Sequence, residues 1–130
     1  MPWPIRAHYR QLCHPAHEEL VVGALQGVLG LRPRVMVKTS PPMEITRRCD
    51  HQGRFEWLAL VNHSGASGTA IHRPIPIHDI EIDINPLRPI TSARLLSANQ
   101  TLDHQTTNTH TRCTLPTLTH YEVLLLQYAD

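Results

Sequence analysis

This sequence predicts a mainly β fold, an antiparallel β-sandwich of about eight short strands preceded by one α-helix. Apolar residues alternate with polar ones in segments such as residues 80–84, which is the pattern of a half-buried strand. Two other segments, residues 55–62 and 121–128, are apolar on both faces, as central strands covered on each side are. Helical spacing of apolar residues occurs only before Pro33.

The helix is predicted over residues 15–29. Pro15 is suited to a first helical turn, Glu18 and Glu19 lie near the positive end of the helix dipole, and Gly30 marks the end. Its apolar side chains recur at helical spacing and form one stripe: Leu20, Val21, Ala24, Leu25, Val28 and Leu29. Such a stripe needs an apolar partner, either the chain's own sandwich or a second copy. A two-fold pair of these helices in a homodimer is the interface that we expect.

After Pro33 no helical periodicity remains, and short strands separated by turn sequences rich in Gly, Pro, Asn and Ser are predicted instead. The predicted strands are Arg34 to Lys38, Glu44 to Cys49, Phe55 to Asn62, Ile71 to Ile77, Ile80 to Ile84, Ser92 to Ser97, Arg112 to Leu115 and Tyr121 to Tyr128. The boundary between a helical segment, residues 1–32, and a sandwich domain, residues 33–130, is expected near Arg32-Pro33.

The alternation of isoleucines changes phase within residues 71–84, IHRPIPIHDIEIDI. Ile77 ends the first phase, and Ile80 begins the second. Because side chains on a strand point alternately to opposite faces, the chain has to turn over between the two halves. A β-bulge at His78 and Asp79, pinned by a contact between these two side chains, or a crossing between sheets would do this.

Composition argues against two classes of partner. Twelve Lys and Arg nearly balance eleven Asp and Glu, so no broad basic surface for nucleic acid or an anionic membrane is expected. The Arg47-Arg48 pair is expected on a solvated hairpin edge.

The three cysteines, Cys13, Cys49 and Cys113, form no disulfide framework, which favours a reducing cytoplasm. No stretch reaches the roughly 20 apolar residues of a membrane span, and no cofactor is expected.

Ten histidines make a metal site worth weighing. They include His14 and His17 at the start of the helix, His72 and His78 around the central strands, and His104, His110 and His120 in or near loops. A zinc site needs three or four converging ligands, and no H-x-x-x-H or H-E-x-x-H pattern occurs. Structural or solvated histidines are therefore the interpretation that we adopt, with a His-rich metal-binding protein as a minor alternative.

The order of several segments resembles that of a known family. These are PWPIRAHYRQLCHPAHEELVVGAL, PPMEITRR, WLALVNHSG, PIPIHDIEIDI, ARLLSANQTL and LPTLTHYEVLLLQY. Together they resemble the C-terminal part of glycoside hydrolase family 42-like, β-galactosidase-related bacterial proteins. In that family a catalytic barrel is followed by a flavodoxin-like α/β trimerisation domain and a small β-sandwich. The resemblance implies that Pro2 to Gly30 is the last element of the α/β domain and that Arg34 to Asp130 is the terminal sandwich.

The resemblance carries over no catalytic residue. Glycosidases of this kind use two carboxylates about 5 Å apart in a retaining enzyme, and the family has both in the barrel. The acids of this chain, Glu44, Glu56, Asp79, Glu81, Asp83 and Glu122, match no catalytic motif and are expected on solvated strand faces. Ser64 lies in a Gly-rich loop without the following helix that a nucleophile elbow or phosphate cradle requires.

These observations predict a non-catalytic accessory or assembly module, which is not an enzyme and whose partner is a second copy or a glycosidase catalytic chain. The alternative is a carbohydrate-binding module, in which exposed aromatic rings stack on sugars. Trp57, Tyr121 and Tyr128 lie in strongly apolar strands, so core packing is their expected role. Trp3 and Tyr9 precede the helix and are the other candidates for exposed rings.

Overall fold

The computed structural model describes residues 15–38, 43–67, 70–107 and 109–129. The chain divides into two compact units, Met1–Pro33 and Arg34–Asp130. Within the described ranges, no helix is long and apolar enough to cross a membrane. Trp3, Tyr9, Cys13, His14 and the side chain of His17 lie outside the described residues.

The helix of the first unit, α1, spans Pro15–Gly27 and ends two residues earlier than predicted. Gly30 has a positive φ of 63°, and the Leu31 N–H donates to the Leu25 carbonyl at 3.0 Å. A left-handed glycine is common just after the end of a helix, and this backbone bond satisfies one of the carbonyls of the last turn. The described side chains of α1 from Glu19 onward are exposed. These exposed side chains include Leu20, Val21, Ala24 and Leu25 of the predicted apolar stripe.

The second unit is an antiparallel sandwich, which confirms the predicted fold class. Its strands are β1 (Val35–Lys38), β2 (Met43–Cys49), β3 (Phe55–Asn62), β4 (Ala66–Ser67), β5 (Ala70–Ile71), β6 (Ile77–Ile84), β7 (Ile90–Leu95), β8 (Gln100–Leu102), β9 (His104–Thr106), β10 (Thr111–Leu118) and β11 (Tyr121–Tyr128). A four-stranded sheet has the order β1-β6-β10-β9, and a five-stranded sheet has the order β2-β3-β11-β7-β8. Strands β4 and β5 form a separate small ribbon.

One hydrophobic core lies between the two sheets. The four-stranded sheet contributes residues such as Ile82 and Leu115, and the five-stranded sheet contributes Leu58, Leu60 and Leu124. All five are fully buried. Burying one such side chain stabilises the fold by about 1.5–3 kcal/mol. The alternation of buried and less buried residues along β3 and β11 places their second apolar set on the outside of the five-stranded sheet.

The predicted strand from Ile71 to Ile77 is wrong, because residues 72–76 have no strand conformation. Pro74 and Pro76 lack the N–H that a sheet ladder requires. Ile71 pairs instead with Ala66 in the β4–β5 ribbon. Strands β8 and β9 have three residues each and were not predicted. Both lie at sheet edges, where little apolar patterning is needed.

The change of phase in β6 is made by a pair of irregularities rather than by one inserted residue. His78 and Asp79 are both exposed, and Asp79 has a positive φ of 52°. On β10, the facing residues Pro116 and Thr117 are both exposed as well. Because both strands change phase at paired positions, the β6–β10 register is the same before and after the irregularity. The His78 ring bonds Thr117 Oγ1 at 3.0 Å, not Asp79 as expected.

Asn62 connects the end of β3 to two loops. Its side-chain amide donates to the carbonyls of Ile75 at 2.8 Å and Thr119 at 2.9 Å, and its Oδ1 accepts the Ser64 N–H at 3.0 Å. Next to it, a Cβ at Gly65 would overlap the His72 carbonyl oxygen. This Ser64 loop is therefore a closely packed turn with a structural role.

We expect Asn62→Ala to lower the free energy of unfolding by about 2 kcal/mol or more, because it leaves buried backbone groups without partners. Urea denaturation measures the change. Asn99→Gly is the matched control: Asn99 is exposed with a positive φ of 52°, so this substitution should stay within about 0.5 kcal/mol. Equal effects of the two substitutions would contradict the role of the Asn62 amide.

Candidate functional sites on the two sheets

Glu56 is fully buried, which corrects the expectation of a solvated strand face. It points into the core from β3 and forms an ion pair with Arg47, whose Nε donates to Glu56 Oε2 at 2.6 Å. Arg47 lies on the edge strand β2, but its side chain is largely buried, whereas Arg48 is exposed as expected. The Cys49 thiol lies 3.7 Å from the same oxygen. Removing one partner would leave the other charge buried and unpaired, which is strongly destabilising. We therefore assign this ion pair a structural role at the end of the sheet.

Glu122 is the second buried acid and is also a correction, since it points inward from β11. Its carboxylate accepts the backbone N–H groups of Ser97, Ala98 and Val123 at 2.8–3.0 Å. These bonds hold the turn after β7 against the central strand. All its described partners are backbone donors, as is typical of a carboxylate that fixes a turn.

The buried acids are not placed as a glycosidase pair. Glu56 faces Leu126 and Glu122 faces Leu60, so the two acids are four residues apart along the sheet. At about 3.3 Å per residue this separation is about 13 Å. Catalytic carboxylates lie about 5 Å apart in retaining enzymes and no more than about 9.5 Å apart in inverting ones.

On the outer face of the four-stranded sheet, Asp83 holds two basic side chains. Its Oδ1 accepts from His110 Nδ1 at 2.9 Å, and its Oδ2 accepts from the Arg112 guanidinium at 3.0 Å. These three residues and two polar neighbours, Gln105 and Thr107, line a cleft of about 260 Å³, which we call the Asp83 cleft. The turn that carries His110 is closed by backbone and hydroxyl bonds to Thr107.

Hydrogen bonds and nearby positive charges lower the pKa of Asp83 and of Glu81 on this face. Partial burial by itself would raise the pKa of Asp83, but the hydrogen bonds from Arg112 and His110 outweigh it and lower that pKa. The pKa of Glu81 is lowered by its hydrogen bond and ion pair with Lys38. A general acid for glycoside cleavage needs a raised pKa instead. Neither carboxyl is suited to that role.

The outer face of the five-stranded sheet is apolar along its two central strands. We call this surface the outer apolar face; it consists of Phe55, Trp57, Ala59 and Val61 on β3 with Tyr121, Val123 and Leu125 on β11. Most of these side chains are half-buried, and Tyr121 is 65% exposed. The expected core packing holds for Tyr128 but not for Tyr121 or Trp57, which lie outside the buried cluster.

Three of the described histidines have separate partners. His63 bonds Glu44 at 3.0 Å, while His78 and His110 bond Thr117 and Asp83. Within the described ranges, no group of three or more His, Cys, Asp or Glu side chains is arranged to hold a metal ion.

This geometry defines an antiparallel β-sandwich module with one apolar and one polar outer face. No family model and no curated protein matches the chain. Among solved structures it is similar to α-L-fucosidase isoenzyme 2 from Paenibacillus thiaminolyticus, with a TM-score of 0.79 and 16% identity over 98% of this chain and 20% of that one. A cycloisomaltooligosaccharide glucanotransferase from Paenibacillus sp. gives a TM-score of 0.49 and 14% identity over 78% and 19%. The chain thus spans about a fifth of the fucosidase, and the likeness shows the fold.

The titration of Tyr128 should reflect its burial beside Glu56. Burial, and then the negative charge of Glu56, raise the pKa of Tyr128 from 10.0 to about 12. The neutral phenol is favoured in the folded state, so its stabilising contribution is complete below pH 10 and is lost as pH rises toward 12.

We expect the ultraviolet absorbance of tyrosinate to show a late transition that Tyr128→Phe removes. Tyr121→Phe is the control, because Tyr121 is exposed, and it should leave the late transition in place. Stability of Tyr128→Phe should also fall less than that of the parent between pH 10 and 12. Loss of an early transition in Tyr128→Phe would contradict the burial of this phenol.

Proposed function

We propose that this chain is a non-catalytic accessory module through which a larger glycosidase is assembled. The observation that carries the proposal is the outer apolar face. An antiparallel sheet with one face on a core normally presents polar side chains on the other. Here all four outward residues of β3 and three of the four on β11 are apolar instead, and the fourth is Gln127.

Covering the outer apolar face would be favourable. Its side chains are already partly screened by their neighbours, so completing their burial would contribute about 1 kcal/mol for each of the larger ones. Over Phe55, Trp57, Val61, Val123 and Leu125 this sum is enough to offset a substantial part of the entropy cost of association. A neighbouring domain of a longer chain, or a partner chain, fits this surface.

The kind of parent protein follows from two independent supports. The segments quoted above resemble the tail of family 42-like, β-galactosidase-related proteins, and the fold is similar to that of a part of an α-L-fucosidase. In this proposal α1 is the end of a flavodoxin-like α/β domain, and catalysis belongs to a barrel in the partner. The arrangement of the described acids supports a module without its own catalytic pair. The free thiols Cys49 and Cys113 support a cytoplasmic location.

Two adjacent residues of β11 give a matched test of the docking role. Leu125 lies on the outer apolar face, whereas Leu124 is fully buried on the inner face. In the isolated chain, Leu124→Thr should cost about 3 kcal/mol or more, and Leu125→Thr less than half as much. When the module is co-expressed with a glycosidase polypeptide from the same genome to which it binds, Leu125→Thr should weaken copurification at least tenfold.

The proposal would be overturned by either of two results. One is copurification that Leu125→Thr leaves unchanged. The other is hydrolysis of nitrophenyl galactosides or fucosides by the pure chain, with the activity lost on substitution of one of its own acids, such as Glu81→Gln.

We also propose that α1 forms a two-fold contact with α1 of a second copy when its parent domain is absent. Leu20, Leu25 and Val28 are 54%, 41% and 82% exposed, and leaving such side chains wet is unfavourable. Light scattering should then give about twice the chain mass of 14.7 kDa.

Leu25→Asp should convert this dimer into a monomer or an aggregate. Gln26→Asp is the matched control, because it places the same charge one residue away from the stripe. A parent chain that is monomeric at high micromolar concentration, with Leu25→Asp harmless, would rule out the helix contact.

A further inference from the structure

We propose that the Asp83 cleft binds a single neutral sugar residue through hydrogen bonds to its hydroxyl groups. The cleft lies on the four-stranded sheet, so its occupation does not depend on the docking role of the outer apolar face. It is lined by Asp83, Gln105, Thr107, His110 and Arg112.

The sheet register brings these residues together. Arg112 on β10 is paired directly with Asp83 on β6 and with Gln105 on β9, so three side chains stand in one row across neighbouring strands. His110 and Thr107 come from the turn between β9 and β10 and form the end of the row. Rigid strands and a hydrogen-bonded turn therefore preset the positions of the polar groups.

Asp83 also fixes the orientation of its two basic neighbours. A carboxylate only accepts hydrogen bonds, so His110 Nδ1 carries the proton in the 2.9 Å contact with Asp83. In the neutral ring Nε2 is then an acceptor. Arg112 uses one terminal nitrogen toward Asp83 at 3.0 Å and retains further N–H donors. The result is a donor, an acceptor and the two-sided Gln105 amide around one small space.

This mixture of groups selects hydroxyls over ions. An anionic ligand would meet the Asp83 carboxylate, and a cationic ligand would meet the Arg112 guanidinium. A sugar hydroxyl both donates and accepts, so adjacent hydroxyls of one ring are matched by an acid, a guanidinium and an amide. The volume of about 260 Å³ lies just below the roughly 300 Å³ at which sites for drug-sized ligands begin, which suits one ring and not an oligosaccharide.

Binding should be weak. The lining residues include no Phe, Tyr or Trp, so the large rings that stack best on a sugar are lacking, and the net gain comes mainly from exposed hydrogen bonds. A dissociation constant of about 1 mM or higher is expected. This affinity is sufficient where a catalytic domain holds the same saccharide nearby at high effective concentration.

The experiment is a titration of the full chain, labelled with ¹⁵N, followed by its backbone amide spectrum. The probes are L-fucose, D-galactose and D-glucose at up to tens of millimolar, with sodium sulfate as the anionic comparison. At least one sugar should shift the amides of Gln105, Thr107, His110 and Arg112 saturably. Gln105→Ala, at an exposed edge position, should weaken that binding at least fivefold, as should Arg112→Gln.

Lys38→Ala is the matched control, because Lys38 pairs with Glu81 at the other edge of the same outer face. It should leave the affinity unchanged. The proposal is overturned by the absence of saturable shifts with all three sugars, by sulfate competing for the cleft, or by shifts confined to Trp57 and Tyr121. The last result would assign sugar binding to the outer apolar face. The first two outcomes leave the docking role of Leu125 untouched, and in the last one copurification of Leu125→Thr tests that role separately.

Discussion

The structure depends on the pairing of β3 with β11 in one register, and apolar patterning alone does not set which faces of these strands turn inward. Both strands carry apolar residues on both faces, so inverting them would exchange one apolar set for another. Polar residues at inward positions remove this ambiguity. Glu56 reaches Arg47, Asn62 reaches the Ile75 and Thr119 carbonyls, and Glu122 reaches backbone N–H groups. In the inverted arrangement these groups would lose their partners.

The same device leaves the outside of the five-stranded sheet free to be apolar. In an ordinary sandwich, polar outer residues report which face is exposed, and they also keep the sheet in solution. Here the inward-pointing polar residues Glu56, Asn62 and Glu122 determine which face of each strand lies against the core. The outer positions of β3 and β11 can therefore serve contact with another surface without disturbing the core. The four-stranded sheet follows the ordinary pattern, with Glu81 and Asp83 outward between the buried isoleucines of β6.

The parts of the fold that the sequence predicts well are those with strong local patterns. The bounds of β3 and β11 are as predicted, because long apolar runs bounded by turns are hard to misplace. The predicted strand covers Arg112 to Leu115, but β10 continues through Pro116 to Leu118. That continuation depends on the matching irregularity at Asp79 on the neighbouring strand. Such a compensation between residues far apart in sequence is invisible to local pattern.

The sites were less predictable for the same reason. Glu56 and Glu122 are flanked by apolar residues on both sides, and alternation suggests that an acid in that setting faces water. Burial became favourable only because β2 brings Arg47 beside Glu56 and the turn after β7 brings N–H groups to Glu122. The Asp83 cleft likewise combines three strands and a turn. His110 was one of several histidines without a partner in the sequence, and Gln105 lies on an edge strand that no pattern predicted.

The outer apolar face and the Asp83 cleft lie on different sheets, and this has a physical consequence for a module of this kind. Packed sheets lie about 10 Å apart, so the outer apolar face and the Asp83 cleft are separated by the whole core. A partner that covers Trp57 and Leu125 would leave Asp83 and Arg112 open to solvent. Both contacts are therefore compatible in one molecule, and no step of one requires release of the other. Because the intervening core is close-packed, coupling between the faces would require a second packing arrangement of Leu58, Leu60 and their neighbours. Simultaneous, independent use of the two faces is the behaviour that this architecture favours.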